Sequence, residues 1–190
     1  MISPPKAFAI ALAAGAAVPL AYAGKVRFDT MQAEQAGRAF ESSYKKLAPG
    51  VYVTAQIKPD DLARFRDRAE IKSVIDLRPD GEAADQTPSA RMAAEARKSG
   101  LEFSYVPTPH GRVPGEVVTQ FEAALANSRK PVLLYCRSGS RAARVWALSE
   151  ASRADGLDAA VILAAVRAAG LSAETEKAEI EQRIAARKPN

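Results

Sequence analysis

Between residues 49 and 170, short apolar runs alternate with stretches in which apolar residues recur every three or four positions, which predicts strands interleaved with helices. Val51-Tyr52-Val53 reads as a first strand, and Pro59 to Arg66 as a helix with proline in its opening turn. Lys72 to Leu77, with Val74, Ile75 and Leu77, predicts a buried strand closed by the turn Arg78-Pro79-Asp80-Gly81. Thr87-Pro88 supplies a cap followed by proline at the first helical position, opening a helix to about Lys98 that stops at Gly100. Leu101, Phe103 and Tyr105 alternate with Glu102 and Ser104, a half-buried strand ended by Pro107. Pro107 to Val113 is a loop, and Pro114 to Asn127 an amphipathic helix with Val117, Val118, Phe121, Ala124 and Leu125 on one face. Pro131-Val132-Leu133-Leu134-Tyr135 is apolar on both faces, as a central strand must be. It ends at Cys136. A helix over Ala142 to Ala151 turns Val145, Trp146 and Leu148 inward, and two more helices follow near Asp158 to Ala169 and Ser172 to Arg187, punctuated by Gly156 and Gly170.

This alternation predicts an α/β fold with a central, mostly parallel sheet flanked by helices. The region before it reads differently. Residues 1–23 resemble a secretory signal: Lys6 gives a short positive start, Ala7 to Val18 an uncharged apolar run, and Ala21-Tyr22-Ala23 a small-x-small cleavage site. The run is shorter than the roughly 20 residues that span a bilayer, so cleavage and an exported, periplasmic location are expected, with membrane contact only through this segment if it is retained. Residues 24–48 are polar and mixed, a linker with room for one helix around Met31 to Ser42. The catalytic domain is then expected over 49–190.

Composition narrows the chemistry further. The chain has 190 residues, 47% of them hydrophobic and 26% charged, an ordinary globular balance. Its net charge of +5 is spread along the sequence and gives no nucleic-acid patch. There is one cysteine, Cys136, and one histidine, His110. An internal disulfide and a Cys/His zinc cluster are therefore excluded, and no GxSxG elbow is present. No metal and no organic cofactor is expected.

What remains is Cys136 at the carboxyl end of the central strand, joined by a short loop to a helix. Ligands of open α/β sheets bind at that edge. Backbone amides of Arg137, Ser138, Gly139 and Ser140, backed by the positive end of the helix, form an anion-binding nest that also favours the reactive thiolate. Gly139 lets the loop curl, and Arg141 offers a planar fork of donors to an oxyanion. A cysteine at a strand end is ordinarily a packed core residue. Its neighbours Arg-Ser-Gly-Ser-Arg favour catalysis.

The hexad Cys136-Arg137-Ser138-Gly139-Ser140-Arg141 resembles the active-site loop of rhodanese sulfurtransferases and, more loosely, of cysteine-dependent phosphatases. Together with Pro49-Gly50-Val51-Tyr52-Val53 and Val74-Ile75-Asp76-Leu77-Arg78-Pro79-Asp80-Gly81-Glu82, it is similar to the phosphatase-like domain of beta-lactamase-hydrolase-like proteins, over about 120 residues from Pro49 to Gly170. That resemblance implies a dual-specificity-phosphatase-like fold, in a family whose members are described variously as phosphatases and as sulfurtransferases. One departure is Ala55-Gln56-Ile57, where the family has Gly or Ser, Gln and Pro.

Loop length separates the two chemistries. The phosphatase pattern has five residues between Cys and Arg, whereas here there are four, and a shorter loop suits one extra sulfur atom better than a phosphoryl group with three equatorial oxygens. A phosphatase also requires a general acid, and usually His before Cys; here Tyr135 precedes Cys136 and the Pro107–Pro114 loop offers His110 but no Asp. The sequence therefore favours an exported sulfurtransferase that passes sulfane sulfur through a Cys136 persulfide, with Arg141 binding an anionic donor. The alternative is a phosphatase forming a phosphocysteine, with Asp80 or His110 as acid. A third reading is an anion-binding or redox-sensing module without turnover. Asp80 has a plain explanation as a turn residue, His110 as a surface residue and Arg78 as a surface side chain, although each is also a candidate for the pocket. Trp146 and Phe121 are expected in the core. The partner in every reading is a small anion.

Overall fold

The computed structural model describes residues 20–187. Two compact units divide the chain, Met1–Ser42 and Ser43–Asn190. The described part of the first is one helix, α1 (Leu20–Ser42), longer than the helix expected around Met31 to Ser42. Residues 1–19 of the expected signal lie outside the described residues. Among the described residues no helix is long and apolar enough to cross a membrane.

The second unit is built on a five-stranded sheet of order β1-β2-β5-β3-β4, with β1 (Tyr44–Ala48), β2 (Val51–Thr54), β3 (Ser73–Asp76), β4 (Glu102–Tyr105) and β5 (Val132–Tyr135). All neighbours run parallel except β1, which folds back antiparallel on β2. This is the α/β architecture the alternation predicts. The stretch expected to be a linker up to Ala48 therefore contains a strand. Its sequence, Tyr-Lys-Lys-Leu-Ala, hides the signal, because an edge strand carrying two exposed lysines shows only half of an apolar alternation. Gly50, at φ +72°, makes the tight return into β2.

Every residue of β5 is fully buried, as a strand apolar on both faces in mid-sheet must be. The helices are α2 (Asp61–Arg68), α3 (Ser89–Lys98), α4 (Gly115–Ala126), α5 (Ser140–Ser152), α6 (Ala159–Ala168) and α7 (Lys177–Ala185), the last preceded by a 3₁₀ turn at Glu174–Glu176. Helix α5 packs against α4, α6 and α7 and is buried along most of its length. Its Trp146 and the Phe121 of α4 lie in the core, as their spacing predicts. Removing a side chain of that size from water contributes roughly 2–3 kcal/mol, which ties the helix that follows Cys136 to the sheet beneath it. Thr87 is not the cap of α3. The capping position is Pro88, and the carboxylate of Asp80 takes over the work by accepting the Ser89 amide (2.7 Å) and hydroxyl (2.7 Å).

Register positions the site. Thr54, Tyr135 and Asp76 are aligned across β2, β5 and β3, and Tyr105 of β4 is aligned with Asp76. The residues that follow them, Gln56, Cys136, Arg78 and Thr108, therefore leave the sheet at one edge.

Candidate active site

At that edge the chain runs from β5 straight into α5, and the turn between them must reverse within four residues. Gly139 permits this at φ +90°, and a Cβ there would sit 3.3 Å from the Thr54 carbonyl. The turn points the Gly139 amide at Cys136, whose Sγ accepts it at 3.2 Å. The Ala143 amide reaches the Gly139 carbonyl (3.0 Å), while the amides ahead of it belong to the opening turn of α5, where no helical acceptor exists. Ser140 and Arg141 are thus the first helical residues, two positions earlier than Ala142. The Ser138 hydroxyl lies 3.2 Å from that of Ser140, and the Arg137 carbonyl accepts the Gln56 amide at 3.3 Å, tying the loop to the end of β2. Cys136 itself is 1% exposed.

Arg141, at the far end of the loop, is held by three hydrogen bonds to two partners. Its Nη1 donates to Glu82 Oε1 (2.5 Å) and to the Thr108 carbonyl (2.7 Å), and its Nη2 to Glu82 Oε2 (2.8 Å). Burial opposes its charge, but the Glu82 bonds and the neighbouring Cys136 sulfur outweigh this and hold the guanidinium above its ordinary range. Glu82 is the hub of the arrangement. It also accepts Arg78 Nε (3.0 Å) and lies 3.2 Å from His110 Nε2. The bond from Arg141 chiefly, then that from Arg78, draws its carboxyl down to about 2 against the opposing cost of burial. Arg78 in turn donates to Gln56 Oε1 (3.0 Å).

Most of the residues singled out from sequence therefore converge: Cys136, Arg141, the 137–140 loop, Arg78 and His110. Arg78 is 5% exposed and inside the network, not a surface side chain. Asp80 does not join it. Both of its carboxylate oxygens are engaged with Ser89, so it caps α3, and its own amide donates to the Tyr105 hydroxyl (2.8 Å). The expectation of Asp80 as a catalytic acid is corrected on that ground: both of its oxygens are taken up by the start of α3 and neither is turned to the Cys136 loop. Glu82 and Gln56 were missed as site residues. For Glu82 the available signal was its spacing, four residues beyond Arg78 in the Arg-Pro-Asp-Gly-Glu run, which a turn brings back upon the arginine.

Asp76 lies at the end of β3, 1% exposed, with Oδ1 accepting the Arg78 amide (2.8 Å). Burial pushes its carboxyl up to about 6, and the Arg78 amide only partly offsets this. Burial, with the Asp76 charge beside it, likewise drives the Tyr135 phenol far above its ordinary range, so its hydroxyl keeps its proton.

Residues 43–154 match the family described as beta-lactamase hydrolase-like protein, phosphatase-like domain. A beta-lactamase hydrolase-like protein of Xylella fastidiosa is 35% identical over 98 residues, 52% of this chain and 22% of the relative. One from Agrobacterium fabrum is 29% identical over 80 residues, 42% of this chain and 19% of the relative. The chain thus spans about a fifth of the length of these curated relatives. Among solved structures, a candidate phosphatase of Neisseria meningitidis superposes with a TM-score of 0.64 at 25% identity, over 75% of this chain and 98% of that one. The core catalytic domain of the PP-IP phosphatase Siw14 from S. cerevisiae, in complex with citrate, superposes with a TM-score of 0.53 at 15% identity, over 77% and 85%. Because the matching segment covers more than half its length, the chain belongs to the phosphatase-like domain family of the beta-lactamase hydrolase-like proteins.

Proposed function

We propose that this chain is an exported cysteine-dependent phosphatase that hydrolyses a small phosphoester. The observation that carries the reading is Cys136 Sγ seated on the Gly139 amide, with the Arg141 fork beside it at the carboxyl edge of the sheet. The family and the phosphatase folds it superposes on support phosphoryl over sulfur chemistry, reversing the preference drawn from loop length. Export rests on the leader-like residues 1–23.

In this mechanism the loop amides and Arg141 bind the phosphoryl oxygens, and the Cys136 thiolate attacks phosphorus in line with the ester oxygen. The S–P bond forms as the P–O bond breaks. His110, held on Glu82, serves as the acid that gives a proton to the departing oxygen, the part that Asp80 is not free to play. Water then attacks the phosphocysteine, its proton returning to His110, and the S–P bond breaks to release inorganic phosphate and restore the Cys136 thiolate.

Sulfur transfer is the second reading, favoured by the four-residue loop and by the engagement of Asp80 with Ser89, since a persulfide cycle needs no general acid. One experiment separates the two. The purified protein and its Cys136→Ser variant are assayed for phosphate release from an aryl phosphate, and intact mass is taken after brief exposure to thiosulfate. Phosphate release that needs Cys136, with no added sulfur, is the expected result. Gain of one sulfur atom on the wild type alone, without phosphate release, overturns it in favour of sulfur transfer.

A further inference from the structure

The loop between β4 and α4 carries two groups of the site, the Thr108 carbonyl on Arg141 and His110 on Glu82. It has little to hold it internally: three prolines, at 107, 109 and 114, remove amide donors, and His110, Gly111 and Arg112 are exposed. Its anchorage comes from elsewhere. Arg144, one helical turn beyond Arg141, donates through Nη2 to the Gly111 carbonyl (2.7 Å). The same guanidinium is gripped by Glu176, through Nε to Oε1 (2.6 Å) and through Nη2 to that oxygen. Glu176 is 6% exposed, and its second oxygen accepts the Thr175 hydroxyl (2.6 Å). The next loop residue, Arg112, reaches Glu179 at 3.6 Å. Glu176 and Glu179 both lie beyond residue 154, where the family match ends. The four side chains and Gly111 border a recess of about 390 Å³ for which Gly111, Arg112, Arg144, Thr175 and Glu176 form the wall.

We propose that Glu176 and Arg144 are positioning residues for the anion site: Glu176 fixes Arg144, Arg144 fixes the Gly111 carbonyl, and the loop so fixed keeps Thr108 on Arg141 and His110 on Glu82. The C-terminal segment thereby completes a site whose nucleophile and arginine lie inside the family-matched residues. An arginine fork serves here because one planar group spans a carboxylate and a carbonyl at once, which a lysine cannot do with the same geometry. Small displacements of an oxyanion-binding group carry large penalties in binding and rate. The part of the inference that concerns Arg141 rests on the phosphatase reading; the part that concerns the loop does not.

The test uses the full protein with Glu176→Gln, Arg144→Met and Arg144→Lys. His110 is the sole histidine, so its imidazole NMR signal reports the loop without ambiguity. Tungstate, a tetrahedral oxyanion, is the probe for the Arg141 site, titrated by calorimetry. Expected are a displaced or broadened His110 signal in Arg144→Met and Glu176→Gln, a dissociation constant for tungstate raised about ten-fold or more, and partial recovery of both in Arg144→Lys. A His110 signal unchanged in the first two variants overturns the proposal. So does unchanged tungstate affinity accompanied by a lower melting temperature, which would make the pair a structural brace only. Should the wild type itself bind no tungstate and release no phosphate, the phosphatase reading falls, and the His110 signal alone decides the clamp.

Discussion

Asp76→Asn should stabilise this protein at neutral pH. The carboxylate is 1% exposed and its pKa is lifted from an ordinary 3.8 to about 6, chiefly by burial. At roughly 1.4 kcal/mol per pH unit, that rise corresponds to a penalty of about 3 kcal/mol for holding the ionised form inside the folded chain, an upper figure. Because the folded state binds the proton more tightly than the unfolded state, the penalty is absent below about pH 4. It grows as pH rises from about 4 to about 6 and is complete above that. Asparagine has nearly the same shape and retains the oxygen that accepts the Arg78 amide, so the loss of charge is the main change. Urea denaturation followed by the fluorescence of the single tryptophan, the buried Trp146, gives the stability of both proteins from pH 4 to pH 8. The variant should match the wild type near pH 4 and exceed it by about 1–3 kcal/mol at pH 7. A difference that stays flat across this range, or a variant less stable at pH 7, would refute the reasoning.

Three further outcomes follow from the site. Asp80→Asn should leave the rate of phosphate release within about two-fold of wild type and cost about 1 kcal/mol of stability, as loss of a helix cap does; a large fall in kcat would restore Asp80 as the acid. Glu82→Gln should lower kcat/KM about ten-fold or more by freeing the Arg141 fork. Because the Glu82 pKa is depressed to about 2, its contribution to stability is complete above about 4.5 and is lost as pH falls towards 2, so the variant's acid unfolding curve should be shallower in that window. Gly139→Ala should cost roughly 1–2 kcal/mol from the positive φ alone, with further loss as its Cβ meets the Thr54 carbonyl, and urea midpoints compared with wild type measure it.

What the sequence could and could not reveal follows from which interactions are local. Strand β5, the hexad from Cys136 to Arg141 and the helix after it are written in consecutive residues, and they lie where their pattern places them. Strand β1 was invisible because an edge strand needs no continuous apolar face. The capping of α3 was misassigned to Thr87 because Asp80, nine residues before Ser89, reaches it only through a folded loop. Glu82 shows the same limit: a carboxylate 59 positions from Arg141 becomes its partner through sheet register, which no local spacing encodes. The preference for sulfur transfer came from a few local features, the loop length, Tyr135 before Cys136 and the lack of an Asp in the 107–114 loop, whereas the family match weighs a hundred residues together.

Strand β1 also governs how this domain meets other copies of itself. A parallel sheet ending at β2 would present a row of unpaired amides and carbonyls, ready to recruit another chain. The antiparallel return shifts that open border to a strand bearing Lys45 and Lys46, both exposed, with its register broken between Lys46 and Ala48. Two adjacent positive charges repel the same pair on an approaching copy, and the irregularity spoils the straight ladder that edge-to-edge pairing needs. The segment that the sequence left as a connector is thus a guard against aggregation, set two strands away from the central strand that ends at Cys136.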